Sequence, residues 1–281
     1  MTLLPETEVL RKELEKEVVG QRIKAVSVRS PAVLPAGPPP EEFATALEGR
    51  RIEAVVRRGT SLALRLNGGC ALVVRPGSVA TLTHQPADVD AEGNEMARIV
   101  LEFDGGDTLH YLDAEQNGML RLVTSEELDT SPEFMTMGMD PLLNSATWLE
   151  FSRQLVIRNC RLRALLGDET FVVGLGDVYS DEILWVAGLS GMRFSSMLSA
   201  QEVRRLYRAI QEVLYEAVKH GGGASDHPEE GEDPFDDPLA NQHLKVYNRN
   251  GQPCVRCRQT ITFAAIDDPP LPSYFCPNCQ T

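Results

Sequence analysis

The C-terminal end of the chain contains the feature that most restricts its fold. Cys254 and Cys257 form one CxxC pair, and Cys276 and Cys279 form a second pair after 18 intervening residues. Two such pairs can converge on one tetrahedral metal ion through tight turns. Two disulfides or four free thiols are the alternatives, but the chain shows no secretion signal, and cytoplasmic thiols stay reduced. The pattern therefore favours one structural zinc ion, because four cysteines fill its coordination sphere.

The other cysteines and the histidines give no second metal pattern. Cys70 falls in a predicted strand and Cys160 in a predicted helix, where each is expected to be a small buried residue. His110 and Asp113, at one strand end, are kept as a candidate pair. The five histidines, none at metal-ligand spacing, are His84, His110, His220, His227 and His243.

The charge balance bears on the partners that this chain can bind. The formal net charge is −14, and seven acidic residues with no Lys or Arg lie between Asp226 and Asp237. DNA-binding proteins neutralise phosphates with Lys and Arg, so the acidity argues against a nucleic-acid partner. No apolar run approaches the roughly 20 residues that a membrane span needs. We therefore expect a cytoplasmic protein with no membrane association.

The first half of the chain has the pattern of an antiparallel β domain. A helix is predicted over 6–19, and short alternating runs follow it. Glycine-containing turns at 67–69 and 104–107 separate pairs of these runs, as in β-hairpins. We assign residues 1–130 to this domain.

Helical signals dominate the second half. Thr147 and Ser199 each have a glutamate three residues later, which is the pattern of a capping box at a helix start. A helical domain is predicted over 131–220. The composition of 221–243 is that of an acidic loop or linker, and 244–281 holds the paired cysteines.

Five short motifs along the chain occur together in one known family. The motifs are LPETE at 4–8, VRRGT at 56–60, MGMDPL at 137–142, VGLGDVYSDEIL at 173–184 and VYNRNGQPC at 246–254. In this order they resemble the formamidopyrimidine-DNA glycosylase (Fpg/Nei) family. The resemblance implies an α+β fold: an antiparallel β-sandwich with a leading helix, a helix–two-turns–helix domain and a four-cysteine zinc finger. It also implies DNA glycosylase and AP lyase activity.

The positions that carry this chemistry in the family differ here. The resemblance assigns the reaction to an N-terminal proline, exposed by removal of Met1, whose amine attacks the sugar C1′. A glutamate follows that proline. Thr2 and Leu3 occupy these two positions in this chain.

The family's DNA-gripping positions differ as well. The lysine of the strand loop corresponds to Thr60, the asparagine of the helix–two-turns–helix to Asp177, and the arginine of the finger to Leu271. The loop that fills the gap left by a flipped base has Gln116 and Asn117, without the family's arginine or phenylalanine. Each lost phosphate contact removes about one unit of salt dependence. These differences predict that DNA binding is weak or lost.

The charge of Asp177 and of the finger strengthens that expectation. A carboxylate at position 177 repels a phosphate, and Asp267 with Asp268 places two further acids in the finger hairpin. The main hypothesis is a scaffold that has lost glycosylase and lyase activity. It then binds a basic protein or a small-molecule ligand.

The alternative is an enzyme that uses the same cleft. Removal of Met1 leaves an α-amine on Thr2, and α-amines with pKa values of about 7.7–8.0 are partly neutral and nucleophilic near neutral pH. Glu6 and Asp177 are the candidate acid and base. The reaction is then a non-standard glycoside cleavage or a residual DNA glycosylase and lyase activity. If these residues are not catalytic, Glu6 is an acid in the first turn of a helix, which the helix dipole favours, and Asp177 is a helix cap. Tyr179 and Glu182 are expected to be structural.

Overall fold

The computed structural model describes residues 3–35, 37–77, 80–87, 96–132, 134–135, 138–143, 147–222, 242–266 and 270–281. Thr2, Asp267, Asp268 and most of the predicted acidic linker lie outside the described residues. The chain divides into two compact units, one covering 7–135 and the other covering 136–281 together with 3–6. No helix among the described residues is long and apolar enough to cross a membrane.

Two four-stranded antiparallel sheets form the first unit. One has the strand order β1-β6-β7-β5 and the other has the order β2-β3-β4-β8. The strands are β1 Ile23–Val28, β2 Ile52–Arg58, β3 Ser61–Leu66, β4 Cys70–Arg75, β5 Ala80–Gln85, β6 Ala97–Phe103, β7 Thr108–Asp113 and β8 Met119–Thr124. The predicted turns at 67–69 and 104–107 connect β3 to β4 and β6 to β7.

Alternation of side chains explains why these segments pair as a sandwich. In β6 every second residue is buried, from Ala97 to Phe103. One hydrophobic cluster contains side chains from both sheets, among them Leu64, Leu72 and Leu101. The predicted β-sandwich is confirmed, and Cys70 is buried in β4 as expected.

Three helices accompany the sheets: α1 Leu4–Glu17, α2 Pro40–Leu47 and α3 Ser125–Leu128. α1 begins two residues before the predicted start at position 6. Leu14 of α1 and Val18, one residue after the helix ends, are buried in the sandwich core. α3 was not predicted, although Thr124 and Glu127 form a complete capping box at its start.

The second unit is built from the helices α4 Trp148–Arg158, α5 Leu162–Gly167, α6 Gly176–Ala187 and α7 Ala200–Lys219, and from a hairpin of β9 Thr262–Ile266 and β10 Leu271–Phe275. The Thr147 hydroxyl accepts from the Glu150 amide, and Ser199 with Glu202 forms a full capping box. The two predicted helix starts are therefore confirmed. Cys160 lies between α4 and α5 and is only partly buried, so its placement in a helix was wrong.

Candidate functional site

The start of the described chain is fixed against the beginning of α6. The Leu4 amide donates to the Gly174 carbonyl at 2.8 Å. Leu3 is buried, and a Cβ on Gly176 would lie 2.6 Å from its Cδ2 atom. Gly176 also has a φ of +55°, which favours glycine. The segment that follows the predicted nucleophile Thr2 is thereby anchored at the helix–two-turns–helix.

Glu6 is held by the same helix. Its Oε1 atom accepts a hydrogen bond from the hydroxyl of buried Tyr179 at 2.5 Å. A Cβ at Gly222 would lie 3.0 Å from Glu6 Cγ, and the φ of +87° at Gly222 also favours glycine there. Glu6 is more than a helix-dipole acid, since α6 fixes its carboxylate. Sequence reasoning missed this contact because its partners lie 173 positions apart.

Asp177 is paired with a buried arginine. It lies in the first turn of α6, and Leu175 is the N-cap residue, so the helix-cap interpretation was wrong. Arg163 Nη2 donates to Asp177 Oδ1, and Arg163 Nε lies 3.2 Å from Asp181 Oδ1. The Asp177 side chain is 53% exposed, whereas that of Arg163 is 1% exposed. The guanidinium therefore compensates a carboxylate that the sequence presents as an isolated negative charge.

Leu271 begins the strand that meets this ion pair. It pairs with Ile266 across the β9–β10 hairpin. The carbonyl of the next residue, Pro272, accepts from Arg163 Nη2 at 3.0 Å. Arg163 thus brings two predicted positions, Asp177 and the strand of Leu271, into one network. Arg163 lies outside the five sequence motifs, so sequence reasoning missed it.

Thr60 lies in the tight turn between β2 and β3. Arg57 anchors that turn, since its Nη1 donates to the Gly59 carbonyl at 2.8 Å. Arg57 is itself buried, and its Nε lies 2.8 Å from Glu8 Oε2 on α1. The turn that presents Thr60 is therefore held by a part-buried ion pair.

The loop that contains Gln116 and Asn117 is organised by Asp113. This buried carboxylate accepts from the Gln116 amide at 2.8 Å and from the Gly118 amide at 2.9 Å. The Tyr111 hydroxyl donates to it at 3.0 Å. Because three donors converge on one side chain, the loop has a defined shape even though it lacks the family's residues.

The side chains of this loop have partners too. Gln116 Oε1 accepts from Ser30 Oγ at 2.6 Å, and Asn117 Nδ2 donates to Glu115 Oε2 at 2.8 Å. The candidate pairing of His110 with Asp113 finds no support here. His110 Nε2 lies 2.9 Å from Thr108 Oγ1, and burial lowers the pKa of this histidine.

The four paired cysteines lie close enough together to hold one metal ion. Their Sγ atoms all lie within 4.8 Å of one another, and the Cys254–Cys279 and Cys257–Cys276 separations are 3.9 and 3.4 Å. Tetrahedral zinc with bonds of about 2.3 Å requires sulfur separations of about 3.8 Å. The donor set and its spacing therefore fit a four-thiolate metal ion.

The surroundings of Cys254 favour a thiolate. Burial opposes ionisation, but the backbone amides of Cys257 and Arg256 and the Trp185 indole donate to the sulfur. The outcome is a pKa for Cys254 lowered to about 6. A thiolate is the form that binds metal.

Residues 244–281, here called the cysteine module, are attached to the helices of the second unit by two neighbouring acids of α6. Asp181 accepts from Ser273 Oγ at 2.7 Å and from the Tyr274 amide at 2.6 Å, both in β10. Glu182 accepts from three consecutive amides, those of Lys245, Val246 and Tyr247, at 2.8–2.9 Å. Tyr179 and Glu182 were predicted to be structural. Glu182 agrees with that interpretation, whereas Tyr179 also contacts the candidate Glu6.

Removal of the Glu182 carboxylate is expected to destabilise the protein strongly. Burial raises the pKa of Glu182, and Glu182→Ala leaves three amides without their acceptor. Unsatisfied buried donors cost about 1–3 kcal/mol each, so we expect a loss of about 3 kcal/mol in the free energy of unfolding. Urea unfolding measures it, with the exposed α7 acid variant Glu216→Ala as control. Equal midpoints for the two variants would contradict the docking role.

Comparisons with known proteins identify the family to which this architecture belongs. Residues 1–120 match the formamidopyrimidine-DNA glycosylase N-terminal domain, and residues 137–228 match the formamidopyrimidine-DNA glycosylase H2TH domain. The sandwich, the helix–two-turns–helix and the cysteine module define the DNA glycosylase fold of this type. The chain belongs to the formamidopyrimidine-DNA glycosylase family.

Similar proteins cover the whole chain. A formamidopyrimidine-DNA glycosylase of a Nocardioides species is 36% identical over 290 residues, covering 100% of this chain and 94% of the relative. That of Thermus thermophilus is 35% identical over 282 residues, covering 100% and 98%. Among solved structures, the Lactococcus lactis Fpg in complex with DNA containing an abasic site has a TM-score of 0.84 at 26% identity. It covers 99% of each chain.

The hypothesis of a scaffold released from DNA repair is wrong by these comparisons. Relatives over the full length are named formamidopyrimidine-DNA glycosylases, and similar solved structures are complexes with DNA. The hypothesis rested on charge losses counted one residue at a time. Asp177 shows the weakness of that count, because Arg163 forms an ion pair with it.

Proposed function

We propose that this protein is a DNA glycosylase with AP lyase activity that uses the α-amine of Thr2 as its nucleophile. The observation that carries the proposal is the likeness over 99% of both chains to a glycosylase bound to abasic-site DNA. The anchoring of Leu3 and Leu4 at α6 supports it, since it fixes the segment that follows Thr2.

The proposed reaction needs an amine and a nearby group that exchanges protons. After removal of Met1, the neutral Thr2 amine forms a bond to the sugar C1′ while the C1′–base bond breaks, and the base leaves with its electron pair and a proton. The departing base takes its proton from the amine that is now bound to C1′. The C1′–O4′ bond then breaks, O4′ takes a proton from the proton-exchanging carboxylate, and the nitrogen lone pair forms a protonated Schiff base with C1′. Abstraction of a C2′ proton then expels the 3′ phosphate. Glu6, held by Tyr179, is the proposed proton-exchanging carboxylate.

Thr60, Gln116, Asn117, Asp177 and Leu271 are the proposed DNA-facing positions. The proposal also includes one structural zinc ion on the four cysteines and a cytoplasmic location. We also propose that the chain is divided into four domains or segments, with bounds at 1–130, 131–220, 221–243 and 244–281.

Cleavage of a lesion-containing duplex tests the function. The full-length protein is incubated with duplexes that carry either an abasic site or 8-oxoguanine, and the strands are separated on a denaturing gel. We expect cleavage at the lesion and none in the undamaged duplex. Intact strands with both lesions at saturating protein would overturn the proposed activity.

Asp177→Asn is expected to strengthen DNA binding. The change removes one negative charge from a half-exposed position, while buried Arg163 keeps its contacts with Asp181 and the Pro272 carbonyl. We expect affinity for an abasic duplex to rise about tenfold at low salt, with a salt dependence steeper by about one unit. Fluorescence anisotropy over a salt series measures both quantities.

Asp168→Asn is the matched control, because Asp168 is also paired with an arginine, Arg158, but lies outside α6. It should leave the salt dependence unchanged. An equal gain in both variants would show a general charge effect and would contradict a DNA-facing role for Asp177.

A further inference from the structure

Trp185 links α6 directly to a predicted metal ligand. It lies near the C-terminal end of that helix and is buried in a cluster with Val246, Cys254, Ile261 and Cys276. Its indole Nε1 donates to Cys254 Sγ at 3.4 Å. An indole N–H can only donate, so a buried tryptophan needs an acceptor such as this sulfur.

Arg256 holds the indole from its other side. Its guanidinium carbon lies 4.1 Å from the centroid of the Trp185 ring, and its Nη1 donates to the Trp185 carbonyl at 3.2 Å. A cation this close to an aromatic face is attracted to it. Arg256 also sits between Cys254 and Cys257 in the chain, so the stack ties one CxxC pair to α6.

A metal ion bound by the four cysteines would leave a net negative charge that nearby donors can stabilise. Four thiolates around one divalent cation carry an excess of two negative charges. Cys254 and Cys276 are buried, so water does little to stabilise that charge. The indole N–H of Trp185 is positioned to offset it, since it donates to the Cys254 sulfur. Groups that donate to metal ligands in this way orient them and alter metal affinity by about 10–100-fold.

We propose that Trp185 is a positioning residue for the metal centre, with Arg256 as its support. The inference rests on the proposed metal site. Trp185 directs its N–H to the Cys254 thiolate, so that α6 controls how tightly the cysteine module retains its ion. Asp181 and Glu182 dock the module at points away from the ligands, whereas Trp185 contacts a ligand sulfur itself.

Trp185→Phe tests this role because it keeps an aromatic ring and removes the N–H. Zinc loss from the full-length protein to excess EDTA is followed with a colorimetric zinc indicator. Trp148→Phe on α4, the chain's other tryptophan, is the matched control. We expect zinc loss to be at least about tenfold faster for Trp185→Phe, with the control at the wild-type rate.

The absorption spectrum of the cobalt-substituted protein distinguishes a donor to the metal ligand from a residue that only supports the fold. Without the N–H donor the Cys254 sulfur is more electron-rich, so the sulfur-to-cobalt charge-transfer bands should move to longer wavelength. Unchanged bands, or zinc loss from Trp185→Phe at the wild-type rate, would overturn the inference. Wild-type protein that binds no zinc would instead overturn the metal site itself.

Arg256→Met keeps the test available if Trp185→Phe does not fold. This variant retains the indole N–H but removes the cation from the ring. Faster zinc loss than wild type supports the positioning role, and the wild-type rate contradicts it.

Discussion

Blocking the N-terminal amine is expected to lower lesion-strand cleavage by at least about a thousandfold. The proposed nucleophile is the amine itself, and loss of a nucleophile removes the covalent step. A short peptide extension before Thr2 converts the amine into an amide. Leu3 and Leu4 stay in their places at α6, so the fold should be unaffected. Cleavage rates on an abasic duplex measure the effect.

Thr2→Ser is the control for this prediction. It keeps a small first residue and a free amine after removal of Met1, so its cleavage rate should remain near that of the wild type. Cleavage by the extended protein at the wild-type rate would show that another group attacks the sugar.

Cys276→Ser is expected to abolish metal retention and to release the cysteine module. The variant leaves three thiolates for one ion, and Cys276 is buried in the cluster with Trp185, Val246 and Ile261. Structural zinc contributes directly to folding, so we expect zinc content to fall from about one per chain to near zero. DNA affinity should fall at least about tenfold, because the module carries a proposed DNA-facing position at Leu271.

Elemental analysis and fluorescence anisotropy give the two readouts. Cys160→Ser is the control, since Cys160 is a partly buried thiol outside the cluster. One zinc per chain and unchanged DNA affinity in Cys276→Ser would contradict the metal assignment.

Local signals in the sequence predicted much of the fold. The turns at 67–69 and 104–107 and the caps at Thr147 and Ser199 depend on a few adjacent residues, and the structure confirms them. The cysteine pairs are equally local, because each CxxC turn presents two ligands by itself.

Contacts between distant segments could not be read in the same way. Glu6 meets Tyr179, and Arg163 meets both Asp177 and the carbonyl of Pro272, only after α6 and β10 are in place. No spacing rule connects these residues. A charge count along the chain overstates the repulsion of DNA phosphates, because it does not show which acids already have a cation.

Changed side chains at the catalytic positions do not by themselves remove the proposed chemistry. Thr2 in place of proline changes the class of amine but leaves an amine, and Gln116 and Asn117 lie in a loop whose shape Asp113 maintains. The fold preserves the means of holding these segments even where the side chains differ.

Borohydride trapping on an abasic duplex tests the central claim most directly. Reduction of the Schiff base converts it into a stable amine that links protein to DNA, and peptide mapping by mass spectrometry identifies the modified residue. We expect a covalent adduct at the N-terminal amine of Thr2. No adduct with the full-length zinc-containing protein, or an adduct on a lysine elsewhere in the chain, would contradict it.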